Sequence, residues 1–168
     1  MSDSIAAGGH SALTDEQTGL PNRLHFETVL EPVFATGQRG MPLSVVLLEI
    51  DGGGEWLQKA DPAAIARVFR NIRKTLVPVV RQTDVLARVG ECRFAVCLLD
   101  WNMAGGVLVA DRIDGLKDSL GPATGLGFSI GGAAFDRDMD RPTDLLGAAE
   151  QALRVAQNRG ANQTEFHQ

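Results

Sequence analysis

Residues Arg81–Phe94 read R-Q-T-D-V-L-A-R-V-G-E-C-R-F. Val85, Ala87 and Val89 alternate with Leu86 and Arg88, and Gly90-Glu91 begins a turn. From Arg93 the run R-F-A-V-C-L-L continues as an apolar strand. Turn residues between two such runs predict a β-hairpin. A hairpin tip projects side chains past the sheet edge, so Gly90, Glu91, Cys92 and Arg93 stand where chemistry can be carried.

Upstream of the hairpin, Leu43–Asp51 (L-S-V-V-L-L-E-I-D) is a near-continuous apolar run, the pattern of a central strand buried on both faces. Glu49 and Asp51 fall at its carboxyl end, where sheets covered by helices place ligands. Gly52-Gly53-Gly54 reads as a flexible turn, because a phosphate-cradling loop of the Walker type needs a Lys and a helix start. Asp61 and Pro62 open a helix whose apolar face is Ile65, Val68, Phe69, Ile72, Leu76 and Val79. Arg67, Arg70, Arg73 and Lys74 form its solvated side, and Pro78 loosens its end. Ahead of these elements, Thr18-Gly19 and Pro21-Asn22 are turn chemistry before a helix faced by Leu24, Val29, Leu30 and Val33. Residues 1–13, small and polar, read as a flexible tail.

Downstream, a helix is expected over Asn102–Leu120, weakened by Gly105, Gly106 and Gly115. Leu126–Phe135 reads as a strand, and Pro142 opens a last helix with Leu145, Ala149, Ala152, Leu153 and Ala156 inward. The order strand, helix, hairpin, helix, strand, helix implies an α+β fold, a mixed sheet flanked by helices.

The chain of 168 residues is long enough for one domain with a sizeable core. Its formal charge of −5 argues against a general nucleic-acid binder. No apolar run approaches the roughly 18–20 residues of a membrane span, and the N-terminus lacks the basic start and apolar stretch of a secretory signal. Cys92 and Cys97 have neither metal spacing nor a disulfide framework, so two reduced thiols in a cytoplasmic protein are expected.

Several segments resemble the GGDEF, or diguanylate cyclase, family. Thr14–Arg23 matches the segment D-x-L-T-G-L-P-N-R at Asp15, Thr18, Gly19, Leu20, Pro21, Asn22 and Arg23, with Gln17 in place of the Leu. Ser129–Ala133 resembles the strand S-I-G-V-A, and Ala149–Asn162 resembles A-D-x-A-L-Y-x-A-K-x-x-G-R-N, with Arg154, Gln157 and Ala161 at the Tyr, Lys and Arg places. Gly90–Phe94, G-E-C-R-F, occupies the signature turn and keeps its first Gly and its Phe. The likeness runs from about Thr14 to the C-terminus, which makes residues 14–168 a degenerate GGDEF domain with a fold related to nucleotide cyclases and the polymerase palm.

The resemblance also says what is missing. The family's metal-binding acid has become Cys92 and the following Glu has become Arg93, while Glu49 takes the place of a metal-binding Asp. The family's Lys, Asn and Asp contacts fall on Gly54, Leu57 and Gln58, and its G-H-x-x-G-D motif on Asp61–Ala66. Thiolates select soft metals, so Cys92 cannot hold magnesium, and Arg93 adds positive charge beside the site. The expectation is a protein without cyclase activity, catalytic residues, metal or other cofactor.

What remains is R-x-x-D at Arg81–Asp84, in register with the hairpin. In active relatives this place is the inhibitory site for cyclic di-GMP, bound as a stacked pair, and Arg112 matches a second arginine there. A planar Arg donates paired bonds to a phosphate or to a guanine's Hoogsteen edge. The alternative is a local ion pair between Arg81 and Asp84. The resemblance therefore implies a cyclic di-GMP receptor through Arg81, Asp84 and Arg112. Otherwise the domain is a nucleotide-independent interaction or homodimerisation module or, more weakly, a GTP binder without turnover using Glu49, Asp51 and the Gly-rich turn. With no sensory region read ahead of the fold, input is expected from a ligand or a protein partner.

Overall fold

The computed structural model describes residues 12–120 and 125–168. Its sheet is built on β1 (Leu43–Ile50), with β2 (Val85–Arg88), β3 (Arg93–Leu99), β4 (Phe128–Ala134) and β5 (Thr164–Phe166) in the order β2-β3-β1-β4-β5. β1 runs antiparallel to both β3 and β4, and β5 joins β4 in parallel. The register sets Glu49 opposite Arg93 on one side and Ser129 on the other. This is the mixed sheet flanked by helices that the sequence pattern implied.

Side chains alternate across a strand, so β1 serves two cores. Val46, Leu48 and Ile50 join Val68, Phe69 and Ile72 of α3 (Pro62–Leu76) and Val109 and Ile113 of α4 (Met103–Asp114). Val45 and Leu47 join Phe26, Leu30 and Phe34 of α1 (Arg23–Gln38) and Leu145 and Leu153 of α6 (Pro142–Asn158). A Cβ added at Gly131 would lie 2.2 Å from the Leu153 backbone nitrogen, so α6 rests directly on the backbone of β4. That close approach carries Gln157 over the end of β1.

Local chemistry fixes the helix starts. The Asn22 side chain accepts from the His25 amide at 3.0 Å, and the Asp61 carboxylate accepts from Ala63 and Ala64. At α6 the Asp144 carboxylate accepts from the Asp140 and Arg141 amides, both at 2.9 Å. These backbone donors hold the Asp144 carboxyl below its ordinary range.

Several expectations need correction. The buried stripe of α1 is Phe26, Leu30 and Phe34, while Leu24 is 55% exposed, because the two phenylalanines take the core-facing side with Leu30. Gly52–Gly54 is not a free turn. Gly52 takes a left-handed conformation (φ 66°) and Gly53 begins α2 (Gly53–Lys59). The expected helix over Asn102–Leu120 stops at Asp114, and a separate short turn of helix, α5 (Lys117–Leu120), follows Gly115. The expected tail, residues 1–13, lies outside the described residues except for Ala12 and Leu13, whose carbonyls accept from Asn22. Among the described residues no helix is long and apolar enough to cross a membrane.

Candidate functional site

The β2–β3 turn is tightened by the Val89 and Gly90 amides, which both donate to the Arg93 carbonyl. Arg88 then ties it to the N-terminal segment. Its guanidinium pairs with Asp15 at 3.2 and 3.3 Å, donates to Gln17 Oε1 and the Glu91 carbonyl, and lies 4.0 Å over the Phe69 ring. Asp15 in turn accepts from the amide and hydroxyl of Thr18. Gly19 (φ 70°) lets Arg73 reach the Thr18 carbonyl at 2.8 Å, where a Cβ would stand 2.2 Å from Arg73 Nη1. Arg73 lies on the expected solvated face and also clamps the N-terminal segment.

At the tip of the hairpin, Arg93 turns back onto β1. Its Nε and Nη2 donate to the two Glu49 carboxylate oxygens at 3.3 and 3.2 Å, and its Nη1 lies 3.9 Å from Glu150 on α6. Gln157 Nε2 also donates to Glu49. Asp51 is equally engaged, accepting from the Ser129 hydroxyl at 2.7 Å and the Asn162 amide at 2.8 Å. Cys92 points inward beneath Gly53, where an added Cβ would meet its Sγ at 2.6 Å. Burial pushes the Cys92 thiol up from its ordinary value, against the opposing pull of Arg88 and with the help of Glu91 and Glu49. Glu91 is exposed. The structure thus brings Glu49 and Arg93 into direct contact, gathers Asp51, Gly90 and Cys92 around them, and leaves Glu91 facing solvent. Among the described residues no cluster of three or more His, Cys, Asp or Glu side chains can hold a metal ion. A cleft of about 310 Å³ between α1, the hairpin and α6 opens beside this network, floored by Phe26, Leu47 and Leu146.

At the root of the hairpin, Arg81 donates through Nε and Nη2 to the Asp84 carboxylate at 3.2 and 3.1 Å, and through Nη2 to the Leu99 carbonyl. The Asp84 carboxylate also accepts the Arg81 amide at 2.9 Å. Asp84 is 2% exposed and Arg81 44%. The guanidinium Cζ stands 4.7 Å over the Trp101 ring. Arg112 is exposed on α4 and forms no ion pair among the described residues. Trp101 was not singled out from the sequence; the only available signal was an aromatic residue placed directly after a strand and before an Asn helix cap.

The sheet order, the hairpin and the N-terminal clamp define a nucleotide-cyclase type of domain, and the chain belongs to the GGDEF family, whose model (Diguanylate cyclase, GGDEF domain) matches residues 12–163. It is 28% identical over 164 residues to diguanylate cyclase DosC of Escherichia coli strain K12, covering 94% of this chain and 35% of that protein. It is 29% identical over 163 residues to diguanylate cyclase TpbB of Pseudomonas aeruginosa strain UCBPP-PA14, covering 93% and 38%. The chain therefore spans about a third of the length of the curated relatives it matches. Among solved structures, the coiled coil and GGDEF domain of DgcB from Caulobacter crescentus, in complex with c-di-GMP, superposes with a TM-score of 0.85 at 18% identity, covering 96% of this chain and 89% of that one. Diguanylate cyclase SiaD of Pseudomonas aeruginosa, in complex with its activator SiaC, gives 0.80 at 20% identity, covering 98% and 65%.

Proposed function

We propose that this chain is a catalytically inactive GGDEF domain of the bacterial cytoplasm that acts as a cyclic di-GMP receptor through Arg81, Asp84 and Arg112. The observation that carries the reading is the Glu49–Arg93 ion pair. Magnesium needs several hard oxygen ligands at short range. Here both Glu49 oxygens face a fixed guanidinium, Asp51 is committed to Ser129 and Asn162, and the remaining donor is the buried thiol of Cys92. These donors do not fit the ion, and without it nothing offsets the repulsion between two polyphosphates. The R-x-x-D turn, by contrast, keeps a half-exposed arginine, and Arg112, which forms no ion pair among the described residues, can offer its charge to a phosphate.

A second reading is supported by the Arg81–Asp84 contact itself. The pair is complete without a ligand, as a purely structural ion pair would be, and that favours a nucleotide-independent interaction or homodimerisation module. Calorimetric titration with cyclic di-GMP, run beside GTP plus magnesium, separates the two. Saturable binding of cyclic di-GMP alone, lost in Arg81→Ala, supports the receptor. Silence with both nucleotides rejects it in favour of the interaction module. Turnover of GTP would overturn the inactive assignment.

A further inference from the structure

The Arg81 side chain is held in a way that its pairing with Asp84 does not explain. Asp100 (φ 59°) turns the chain sharply between β3 and α4. The Ser44 hydroxyl then donates to the carbonyls of Trp101 and Asn102 at 2.9 and 3.1 Å, anchoring that turn to β1. The indole folds back over the first turn of α4, where a Cβ added at Gly105 would lie 2.1 Å from Trp101 Cε3. Gly105 weakens the helix as a propensity matter, yet its missing side chain is the seat of the ring. Trp101 covers one side of the Arg81 guanidinium, Asp84 takes its Nε–Nη2 edge, and Nη1 donates to no group among the described residues. With that edge occupied, Arg81 is poorly placed to read a base edge-on; what it offers is its open side and Nη1. Gly105, Leu108 and Arg112 share one stripe of α4 by their spacing of three and four. Arg112 therefore stands about 10 Å along the same face, beyond Leu108, which is 44% exposed.

We propose that Trp101, seated on Gly105, is a positioning residue that turns Arg81 into a flat stacking platform for a guanine of cyclic di-GMP, with Arg112 two turns along α4 meeting an anionic phosphodiester. Guanidinium planes stack on aromatic rings and on nucleobases alike, so the order indole, guanidinium, purine continues one stack. Leu108 supplies apolar surface between the two arginines. This inference rests on the receptor reading and adds to it how the base is held.

Trp56 and Trp101 are the only tryptophans, so Trp56→Phe leaves Trp101 as the sole emitter. In that protein cyclic di-GMP is expected to change the Trp101 emission with the same midpoint as the calorimetric isotherm, whereas pyrophosphate, anionic but without a base, leaves it unchanged. Trp101→Leu should weaken binding about tenfold and Gly105→Ala about fivefold, while Trp101→Phe, which keeps an aromatic face, stays within about threefold. Binding in Trp101→Leu within about twofold of the parent, or emission indifferent to bound cyclic di-GMP, overturns the stacking platform and leaves the receptor standing. A parent silent in calorimetry removes the receptor and this inference together. Melting temperatures of the variants separate lost binding from lost fold.

Discussion

The two ends of the β2–β3 hairpin carry similar chemistry, an arginine on a carboxylate, and use it differently. At the tip, Arg93 pairs with Glu49, 44 positions away, and Gln157 reaches Glu49 from 108 positions away. These bonds join β1, β3 and α6, so the network is part of the scaffold and holds no group in reserve. At the root, Arg81 pairs with Asp84, three positions away, and remains 44% exposed. Asp84, 2% exposed, stays paired, while the guanidinium keeps an accessible side for a ligand. On the receptor reading, the tip loses its chemistry because its charges are absorbed into tertiary structure, and the root keeps it because one side of Arg81 stays accessible.

The sharpest way to break this contrast is Arg81→Ala. Affinity for cyclic di-GMP should fall about a hundredfold with the loss of the stacking face and the Nη1 donor, while the variant stays folded and melts somewhat lower because Asp84, 2% exposed, loses its partner. Loss of the folded state in this variant would make the root as structural as the tip. The converse variant, Arg93→Ala, should leave nucleotide affinity as it is and destabilise the fold by about 1–2 kcal/mol, because Glu49 loses its partner in a site only about a quarter exposed. For a domain of this size that is about 3–6 °C in thermal unfolding. Equal melting of parent and variant would show the tip network to be incidental.

Cys92 tests whether the tip is closed. Burial raises the thiol's pKa, so little thiolate forms near neutral pH. Alkylation of the native protein should run about tenfold or more slower than that of the unfolded chain. Reaction at the free-thiol rate would mean an open site. The smallest effect is expected at Asp144, which is exposed at the start of α6. Its folded pKa is lowered by the Arg141 and Asp140 amides, so its stabilisation is present above the ordinary value of 3.8 and is lost as pH falls through the folded value. Asp144→Asn should melt slightly below the parent at neutral pH, and the gap should close in acid. A gap that persists in acid would assign the effect to packing.

Much of the fold was legible because its signals are local. Leu43–Ile50 reads as a buried strand from composition alone, and Leu145, Ala149, Ala152, Leu153 and Ala156 mark the inner face of α6 by spacing, each buried as expected. The expected stripe of α1 holds at Leu30 and, at its edge, Val33, but Leu24 is exposed and Phe26 and Phe34 fill the centre, because two apolar patterns overlap on this helix. β5 has only three residues and exists through pairing with Ile130–Gly132, which no local pattern announces. The R-x-x-D pair and the basic residue at Arg93 could be named from the chain, but Trp101 against Arg81 and Glu49 against Arg93 could not.

The sequence by itself determined the hairpin, the mixed sheet and its helices, the membership of the GGDEF family and the presence of Cys92 and Arg93 in the hairpin turn. These follow from periodicity, turn chemistry and motif, which are written within short stretches. Only the tertiary structure decided that Arg93 lies on Glu49, that Cys92 points inward under Gly53, that Arg73 and Arg88 clamp the N-terminal segment, and that Trp101 lies against Arg81. Apart from Cys92 and Gly53, which pack across the hairpin, each depends on where a long side chain ends after the chain has folded. Rotamers of arginine and tryptophan are set by neighbours dozens of positions away, and a linear pattern does not encode them.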